Sequence, residues 1–262
     1  MAYDTISVVP DDRGIVQLRM NRADKRNALS AQMIAELTDF AAQAGPRRDW
    51  RAVVLTGAGD VFCAGGDLGW MQAQMAADRA TRMAEAKKLA LMLKALNDLP
   101  QPLIGVVQGG AYGGGVGLCA VCDVVVAAED ARFGLTETRL GLIPATIGPY
   151  VIARMGEGLA RRVFMSARLF GAAEAQALNL VARVVPAADL ARAAEAEATP
   201  YLACAPGAVA AAKALARKLG QGATDAMIDA SIAALADTWE THEAREGVAA
   251  FFDKRKAAWV RG

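Results

Sequence analysis

The sequence predicts an α/β fold in which parallel strands are covered by helices. Strand-like and helix-like hydrophobic patterns alternate along most of its 262 residues, which is typical of such folds. Two apolar runs, 52–57 and 103–107, each end in a glycine-rich turn that a helical pattern follows, and continuous apolar runs of this kind suit buried parallel strands. The strand signal disappears at about residue 199. We therefore divide the chain into a core, residues 1–198, and a C-terminal helical module, residues 199–262.

Each element of the core has its own signal. Residues 15–20 alternate between buried-type and exposed-type side chains, as a strand with one buried face does. Ser30 can cap a helix that carries Met33, Ile34 and Leu37 on one face. The remaining patterns predict a strand over 52–56, a long helix within 67–98, a strand over 103–107, a helix that starts in the glycines and ends near Asp123, and a strand over 124–127.

The C-terminal module is predicted to be helical throughout. Ile228, Ile232, Leu235 and Trp239 are spaced by three or four residues, so they indicate one apolar face of a helix. Two interpretations of this module remain open at this point. Its apolar face packs against other subunits, or the helices form a lid on the chain's own core.

Glycine is concentrated in two turns that follow predicted strands. Six of the nine residues in 109–117 are glycine, and the second turn, 62–68, contains Gly65 and Gly66. Leu118 stands where a dinucleotide-binding fingerprint needs its third glycine, and no phosphate-binding P-loop motif occurs. Close packing of a helix on a strand is the alternative explanation of such glycines. Two turns at strand ends could also direct one backbone N–H each at a single oxygen, as acyl-transfer chemistry requires.

Four motifs carry a resemblance to a known family. Their order and spacing are those of the enoyl-CoA hydratase/isomerase (crotonase) family, which the chain resembles from about residue 5 to Lys256; the motifs are 21–29, 62–68, 113–115 and 133–137. This resemblance implies a crotonase (ClpP-like) spiral of ββα turns with a C-terminal helical trimerisation module. It also implies an acyl-CoA thioester as substrate and a homotrimer or a hexamer built as a dimer of trimers.

A carboxylate is the best candidate for acid/base chemistry. The single histidine, His242, lies in a polar run, and neither a serine-hydrolase elbow nor a metal-binding motif occurs. Glu137 lies in a largely apolar stretch, where burial would raise its pKa toward neutral pH; alternatively, it pairs with Arg139 at the surface. The resemblance implies that Glu137 faces the acyl chain beside the thioester, whose carbonyl lies between the N–H groups of Gly66 and Gly114.

The sequence departs from the family pattern at one catalytic position. Many crotonase-like hydratases have a second glutamate two residues beyond the triple glycine, where this chain has Gly117. We expect Gly117 to leave a space beside Glu137 that holds water or a carboxylate branch of the substrate. The local motifs resemble bacterial 3-methylglutaconyl-CoA hydratases, so a branched or carboxylated 2-enoyl-CoA is the predicted substrate. An enoyl-CoA isomerase with one glutamate, or an acyl-CoA-binding protein without catalysis, remains the alternative.

The resemblance also implies anchors for coenzyme A. Arg26 is the candidate for the ribose phosphate, and Phe251 and Lys254 match residues that reach the coenzyme A of a neighbouring subunit. The segment from Lys254 to Arg261 carries a local charge of +3 together with Asp253, unless it is simply a solvated helix end. The remaining substrate-binding candidates are backbone groups near the glycine turns: Ala64, Gly65, Asp67, Leu68 and Gly113.

Composition limits the partners. The formal net charge is +1 and no long block of like charge occurs, so we expect neither nucleic-acid nor membrane binding. No cofactor or metal is expected, since coenzyme A belongs to the substrate. The N-terminus lacks the pattern of a secretory signal, which favours a cytoplasmic location. The four cysteines, Cys63, Cys119, Cys122 and Cys204, are interpreted as small buried hydrophobes rather than redox groups.

Overall fold

The computed structural model describes residues 3–220 and 224–258, and within them the chain forms nine strands and eleven α-helices. The strands are β1 (Ile6–Pro10), β2 (Ile15–Met20), β3 (Ala52–Gly57), β4 (Leu103–Val107), β5 (Gly110–Tyr112), β6 (Val124–Ala128), β7 (Arg132–Gly134), β8 (Leu169–Gly171) and β9 (Arg183–Val185). The helices are α1 (Ala31–Ala44), α2 (Leu68–Ala76), α3 (Arg79–Asn97), α4 (Gly114–Val121), α5 (Gly148–Met155), α6 (Glu157–Phe164), α7 (Ala172–Ala177), α8 (Leu190–Ala198), α9 (Pro206–Leu219), α10 (Asp225–Trp239) and α11 (His242–Phe252).

The larger sheet has six strands in the order β1-β2-β3-β4-β6-β9. Strand β1 pairs antiparallel with β2, and every further pairing in this sheet is parallel. A smaller sheet has the order β5-β7-β8. The predicted parallel sheet is confirmed, and the central strands β3 and β4 are buried along almost their whole length, as their continuous apolar runs require.

The starts of the helices follow local capping chemistry. The predicted cap at Ser30 is confirmed, since its side chain accepts a hydrogen bond of 3.2 Å from the N–H of Met33. The single long helix expected within 67–98 is wrong, because this region forms α2 and α3. Asp78 takes an extended conformation and its side chain accepts the N–H of Thr81, so it ends one helix and begins the next.

The C-terminal helices pack on the chain's own core. Helix α10 buries Ile228 and Ile232 in the main hydrophobic core, and α11 packs on the 3-10 helix Glu137–Leu140. This is the arrangement that the lid interpretation describes. Helix α9 differs, because none of its residues is buried in the single chain. The domain boundary at residues 198 and 199 stays a prediction.

Two further expectations can be compared with the structure. Cys63, Cys119 and Cys122 are buried, as predicted, whereas Cys204 is exposed, so the prediction is wrong for that residue. In the part of the chain that the structure describes, no helix has both the length and the apolar character needed to cross a membrane.

Candidate active site

The two glycine turns meet edge to edge. The N–H of Cys63 donates to the carbonyl of Gly110 at 3.1 Å, and the N–H of Tyr112 donates to the carbonyl of Cys63 at 3.0 Å. Gly65 has a φ of +93°, and a Cβ there would lie 2.9 Å from the carbonyl oxygen of Tyr112 and 3.8 Å from the nitrogen of Gly114. The two strand-end turns therefore lie side by side, and the close approach requires glycine at position 65. That their N–H groups point at one oxygen stays a prediction.

A third segment holds the first turn in place. The N–H of Leu29 donates to the carbonyl of Gly65 at 2.7 Å, and the N–H of Asp67 donates to the carbonyl of Leu29 at 3.1 Å. The N–H of Gly66 lies between these two bonds and donates to no acceptor among the described residues. The backbone thus leaves one donor free at the point where the turns meet.

Gly114 supplies a second free donor. It is the first residue of α4, so its N–H has no partner within the helix, and no other described residue accepts it. The positive end of the helix dipole lies at the same place. Gly66 and Gly114 both line one cavity, and two free N–H groups on facing turns can stabilise a developing negative charge on one oxygen.

Glu137 lines the same cavity. It begins the 3-10 helix Glu137–Leu140, and its Oε2 is buried with no hydrogen-bond partner among the described residues. Burial raises the pKa of Glu137 from 4.5 to about 7. The alternative ion pair with Arg139 is not among the salt bridges of the described residues. A carboxyl group with this pKa has both protonation states available near neutral pH, as acid/base catalysis requires.

Gly113 contacts Glu137 directly. Its φ is +46°, and a Cβ at this position would lie 2.9 Å from Oε1 of Glu137. Its N–H donates to the carbonyl of Gly134 at 2.9 Å, which fixes the turn beside β7. Glycine at position 113 therefore makes room for the carboxylate.

The cavity has a volume of about 450 Å³ and a largely apolar wall. Glu137 and Arg139 are the charged side chains among its described lining residues. Helices α10 and α11 complete the wall with Leu235, Trp239 and Phe251. A cavity of this kind suits an acyl chain, with a small number of polar groups at the reacting end.

The expectation that Gly117 leaves a space beside Glu137 is wrong. A Cβ at Gly117 would lie 2.5 Å from Cγ2 of Ile147 and 3.2 Å from Cδ1 of Leu93. These two side chains fill the region that a second carboxylate would need. The surroundings of Gly117 are therefore dry and apolar, and the glycine is required by packing.

The predicted coenzyme A anchors near the turns have different surroundings. Ala64, Gly65 and Leu68 line the cavity. Asp67 does not, because its carboxylate accepts the N–H of Gly69 at the start of α2 and forms a 2.9 Å ion pair with Arg22.

Arg26 lies next to this end of the cavity. Its carbonyl accepts the N–H of Ala64 at 2.9 Å. Its side chain is exposed and makes no hydrogen bond or ion pair with a described residue. The guanidinium group is thus free beside the cavity, as a phosphate anchor would need to be.

The C-terminal candidates are placed less favourably. Phe251 lines the cavity of its own chain, and Lys254 is exposed and does not line it. The expected contact of both with the coenzyme A of a neighbouring subunit stays a prediction. Arg255 is bound by Glu246 at 2.6 Å and 2.8 Å, so the segment is less cationic than its own sequence indicates. Arg261 lies outside the described residues.

Sequence reasoning missed three contributors to the site. Leu29 supports Gly114, since a Cβ at Gly114 would lie 2.6 Å from its Cδ1. Arg139 was considered only as an ion partner of Glu137, and Trp239 only as a core residue of a helix. The spacing of Trp239 predicts that it lies on the apolar face of a helix, but nothing local in the sequence shows that this face covers the cavity.

Comparison with known proteins agrees with this geometry. The family model described as Enoyl-CoA hydratase/isomerase matches residues 11–262. "Probable enoyl-CoA hydratase echA8" of Mycobacterium tuberculosis is 34% identical over 259 residues, which cover 97% of either chain. The crystal structure of an enoyl-CoA hydratase from Shewanella pealeana is 34% identical with a TM-score of 0.80, covering 98% of this chain and 96% of that one. Pseudomonas aeruginosa AtuE is 38% identical with a TM-score of 0.80, covering 98% and 100%.

The chain belongs to the enoyl-CoA hydratase/isomerase family. The predicted crotonase fold with a C-terminal helical region is confirmed. The chain is an enzyme of the enoyl-CoA hydratase class, as the relatives of that name over nearly its whole length indicate.

Proposed function

We propose that this enzyme adds water to the double bond of a branched or carboxylated 2-enoyl-CoA, of the 3-methylglutaconyl-CoA type. One observation supports acid/base chemistry on a thioester: a single buried carboxyl group, Glu137, shares a cavity with two free backbone donors, those of Gly66 and Gly114. This set can move one proton and stabilise one oxyanion. The relatives named enoyl-CoA hydratase support hydration over isomerisation.

The reaction begins with the thioester carbonyl between the N–H groups of Gly66 and Gly114. The Glu137 carboxylate removes a proton from water while the water oxygen bonds to the β-carbon of the substrate. The electron pair of the double bond moves toward the thioester and forms an enolate, whose oxygen the two N–H groups stabilise more strongly than the ground-state carbonyl. Glu137 then returns the proton to the α-carbon, so the carboxylate is regenerated.

One carboxyl group can perform both transfers because of its pKa. Burial raises the pKa of Glu137 to about 7, so neither the deprotonation of Glu137 nor its reprotonation is strongly uphill near neutral pH. Ile147 and Leu93 occupy the place of a second acid, so this chain relies on Glu137 for both steps.

Arg139 supports a carboxylated acyl group. Its side chain lines the cavity two residues from Glu137 and pairs with no described carboxylate. A guanidinium group in a largely apolar wall favours an anionic ligand over a neutral one. Coenzyme A enters this proposal only as part of the substrate, with Arg26 as the anchor for its ribose phosphate.

The assembly is proposed to be a homotrimer or a dimer of trimers. Helix α9 buries no residue within the single chain, and Leu215 and Leu219 on it are 55% and 78% exposed. An apolar helix face of this kind is suited to contact between subunits. The cytoplasmic location expected from the N-terminus stays a prediction.

Turnover of 3-methylglutaconyl-CoA in water enriched in ¹⁸O tests the reaction type. A hydratase gives a 3-hydroxyacyl product that carries the label, detected by mass spectrometry. Conversion of 3-enoyl-CoA substrates alone, without incorporation of the label, would establish the isomerase instead. Binding of acyl-CoA without turnover of any member of an enoyl-CoA panel would establish the non-catalytic alternative.

A further inference from the structure

A second cavity of about 290 Å³ lies behind Trp239. Helix α2 contributes Met71 to the first cavity and, about one turn later, Met75 to the second. Helix α10 contributes Leu235 to the first cavity, and Glu240 at its C-terminal end lines the second. Trp239 lines both. The same two helices thus run along both cavities, which share Trp239 as a lining residue.

Side-chain contacts hold Trp239 in place. It packs in a small apolar cluster with Leu142, Ala244 and Val248, and the guanidinium carbon of Arg82 lies 5.6 Å from its ring centroid. Because Trp239 lines both cavities, a change of its rotamer is the step by which we expect them to connect.

The second cavity contains two arginines without carboxylate partners. Arg82 donates from Nε to the carbonyl of Gln74 at 2.8 Å and from Nη2 to the carbonyl of Met75 at 3.3 Å. Arg245 donates from Nη2 to the carbonyl of Glu240 at 2.9 Å. Neither forms a salt bridge among the described residues. Carbonyl groups orient these side chains but do not neutralise them. Arg82 also attracts the Asp78 carboxylate, whose pKa is lowered by hydrogen bonds from Thr81 and by the charge of Arg82, so Arg245 carries the less compensated charge of the two.

The acidic residue at this cavity already has a partner. The carboxylate of Glu240 pairs with Arg79 at 3.3 Å, and Arg79 also pairs with Asp237 at 2.6 Å.

We propose that the second cavity is an anion-binding extension of the acyl pocket. It binds the distal carboxylate of a long dicarboxylic 2-enoyl-CoA, through Arg82 and Arg245, when Trp239 turns aside. The inference rests on the proposed function, because the thioester must lie at Gly66 and Gly114 for the far end of the chain to point this way.

Three substrates separate the contribution of the distal carboxylate from that of chain length. They are 2-dodecenedioyl-CoA, the equally long 2-dodecenoyl-CoA with a neutral end, and crotonyl-CoA. Arg245→Gln and Arg82→Gln should each lower kcat/KM for the dicarboxylic substrate by about tenfold or more, chiefly through KM. Turnover of crotonyl-CoA should not change. Arg245→Lys should recover part of the loss, since it keeps the charge. Trp239→Ala should raise kcat/KM for both long substrates, because it removes the side chain that we propose must turn aside to connect the two cavities.

Equal losses for the two long substrates in both arginine variants would overturn the proposal, because the carboxylate would then contribute nothing. In a second experiment, the wild-type enzyme and both arginine variants are titrated with inorganic phosphate in a calorimeter. Phosphate binding that both variants abolish, without discrimination between the long substrates, would identify a site for free anions and also overturn it. If the wild-type enzyme hydrates 3-methylglutaconyl-CoA but neither long substrate, the extension is overturned and the proposed function stands. If it hydrates neither 3-methylglutaconyl-CoA nor any of the three substrates, the proposed function fails, while equilibrium binding of the two long CoA esters still tests the anion site.

Discussion

A Cβ at position 113 would lie 2.9 Å from Oε1 of Glu137. The glycine and the carboxylate are therefore packed against each other, and the left-handed conformation of Gly113 brings the turn into this position. The same turn continues into Gly114, whose N–H is one of the two free donors. One short segment thus sets the distance between the acid/base group and the oxyanion site.

Gly113→Ala should lower kcat by about 10²-fold or more, because a displacement of about 1 Å at a catalytic group has an effect of this size. Steady-state turnover of 3-methylglutaconyl-CoA measures it. Gly156→Ala is the matched control, since Gly156 also has a positive φ, of +77°, but its Cβ would meet nothing within 4 Å. It should lose stability through strain and keep its activity. Equal activity in the two variants would contradict the proposed contact.

Glu137→Gln should lower turnover by about 10²-fold or more and leave binding of the CoA ester largely intact. The wild-type kcat/KM for hydration should rise with pH and level off above about 7, the pKa to which burial raises Glu137. The reason is that the carboxylate form must accept the proton of water. Near-normal turnover in the variant would rule out the mechanism.

The same pKa predicts how stability depends on pH. Because the pKa of Glu137 is raised in the folded protein from 4.5 to about 7, the folded state binds more protons than the unfolded state between these values. The free energy of unfolding should therefore fall as pH rises through this window, by about 3 kcal/mol at most. Denaturant titrations should show a smaller decrease in Glu137→Gln, and an identical decrease would argue against the raised pKa.

The fold was predictable because its signals are local. Continuous apolar runs predicted β3 and β4, and Ser30 predicted the start of α1, since strand burial and helix capping depend on neighbours in sequence. Glu137 was also found, because its apolar surroundings lie within a few residues and the family motif points to it.

The inner surface of the site was not predictable in the same way. Gly117 faces Ile147 and Leu93, and Gly114 faces Leu29; these contacts join distant segments and depend on which rotamers fill the interior. A glycine looks the same in sequence whether it leaves space or is surrounded by side chains, which is why the expectation for Gly117 was wrong.

The N–H of Gly114 should contribute about 3–4 kcal/mol to lowering the barrier. Proline removes this donor, and the first position of a helix tolerates it, but any Cβ there collides with Leu29, whose Cδ1 is 2.6 Å away. The test therefore compares Leu29→Ala/Gly114→Pro with Leu29→Ala/Gly114→Ala. Both relieve the collision, and only the first lacks the N–H. Similar kcat values in the two would refute the oxyanion role.

Light scattering should report particles of three or six chains. Leu215→Glu combined with Leu219→Glu should shift these toward monomers, because a charge in an apolar interface is costly. Leu91→Glu, at a side chain that is 41% exposed on α3, is the control and should leave the assembly unchanged.

Deletion from about residue 199 should abolish activity in any case, since Leu235, Trp239 and Phe251 form part of the cavity wall. A stable, active monomer of the full chain would refute the assembly.

Arg139 should distinguish carboxylated from neutral acyl groups. In Arg139→Gln the guanidinium group is lost, so a substrate carboxylate beside it loses its charged partner. We expect kcat/KM for 3-methylglutaconyl-CoA to fall by about tenfold or more, whereas 3-methylcrotonyl-CoA, which lacks the carboxylate, should change little. The kcat/KM of Arg139→Lys for 3-methylglutaconyl-CoA should lie between those of the wild type and Arg139→Gln, because lysine keeps the charge and loses the planar donor pair. Competition between the two substrates, followed by mass spectrometry, measures the ratio directly. If both substrates lose activity equally, Arg139 serves the structure of the cavity or the coenzyme A end, and the carboxylated substrate class loses its main support.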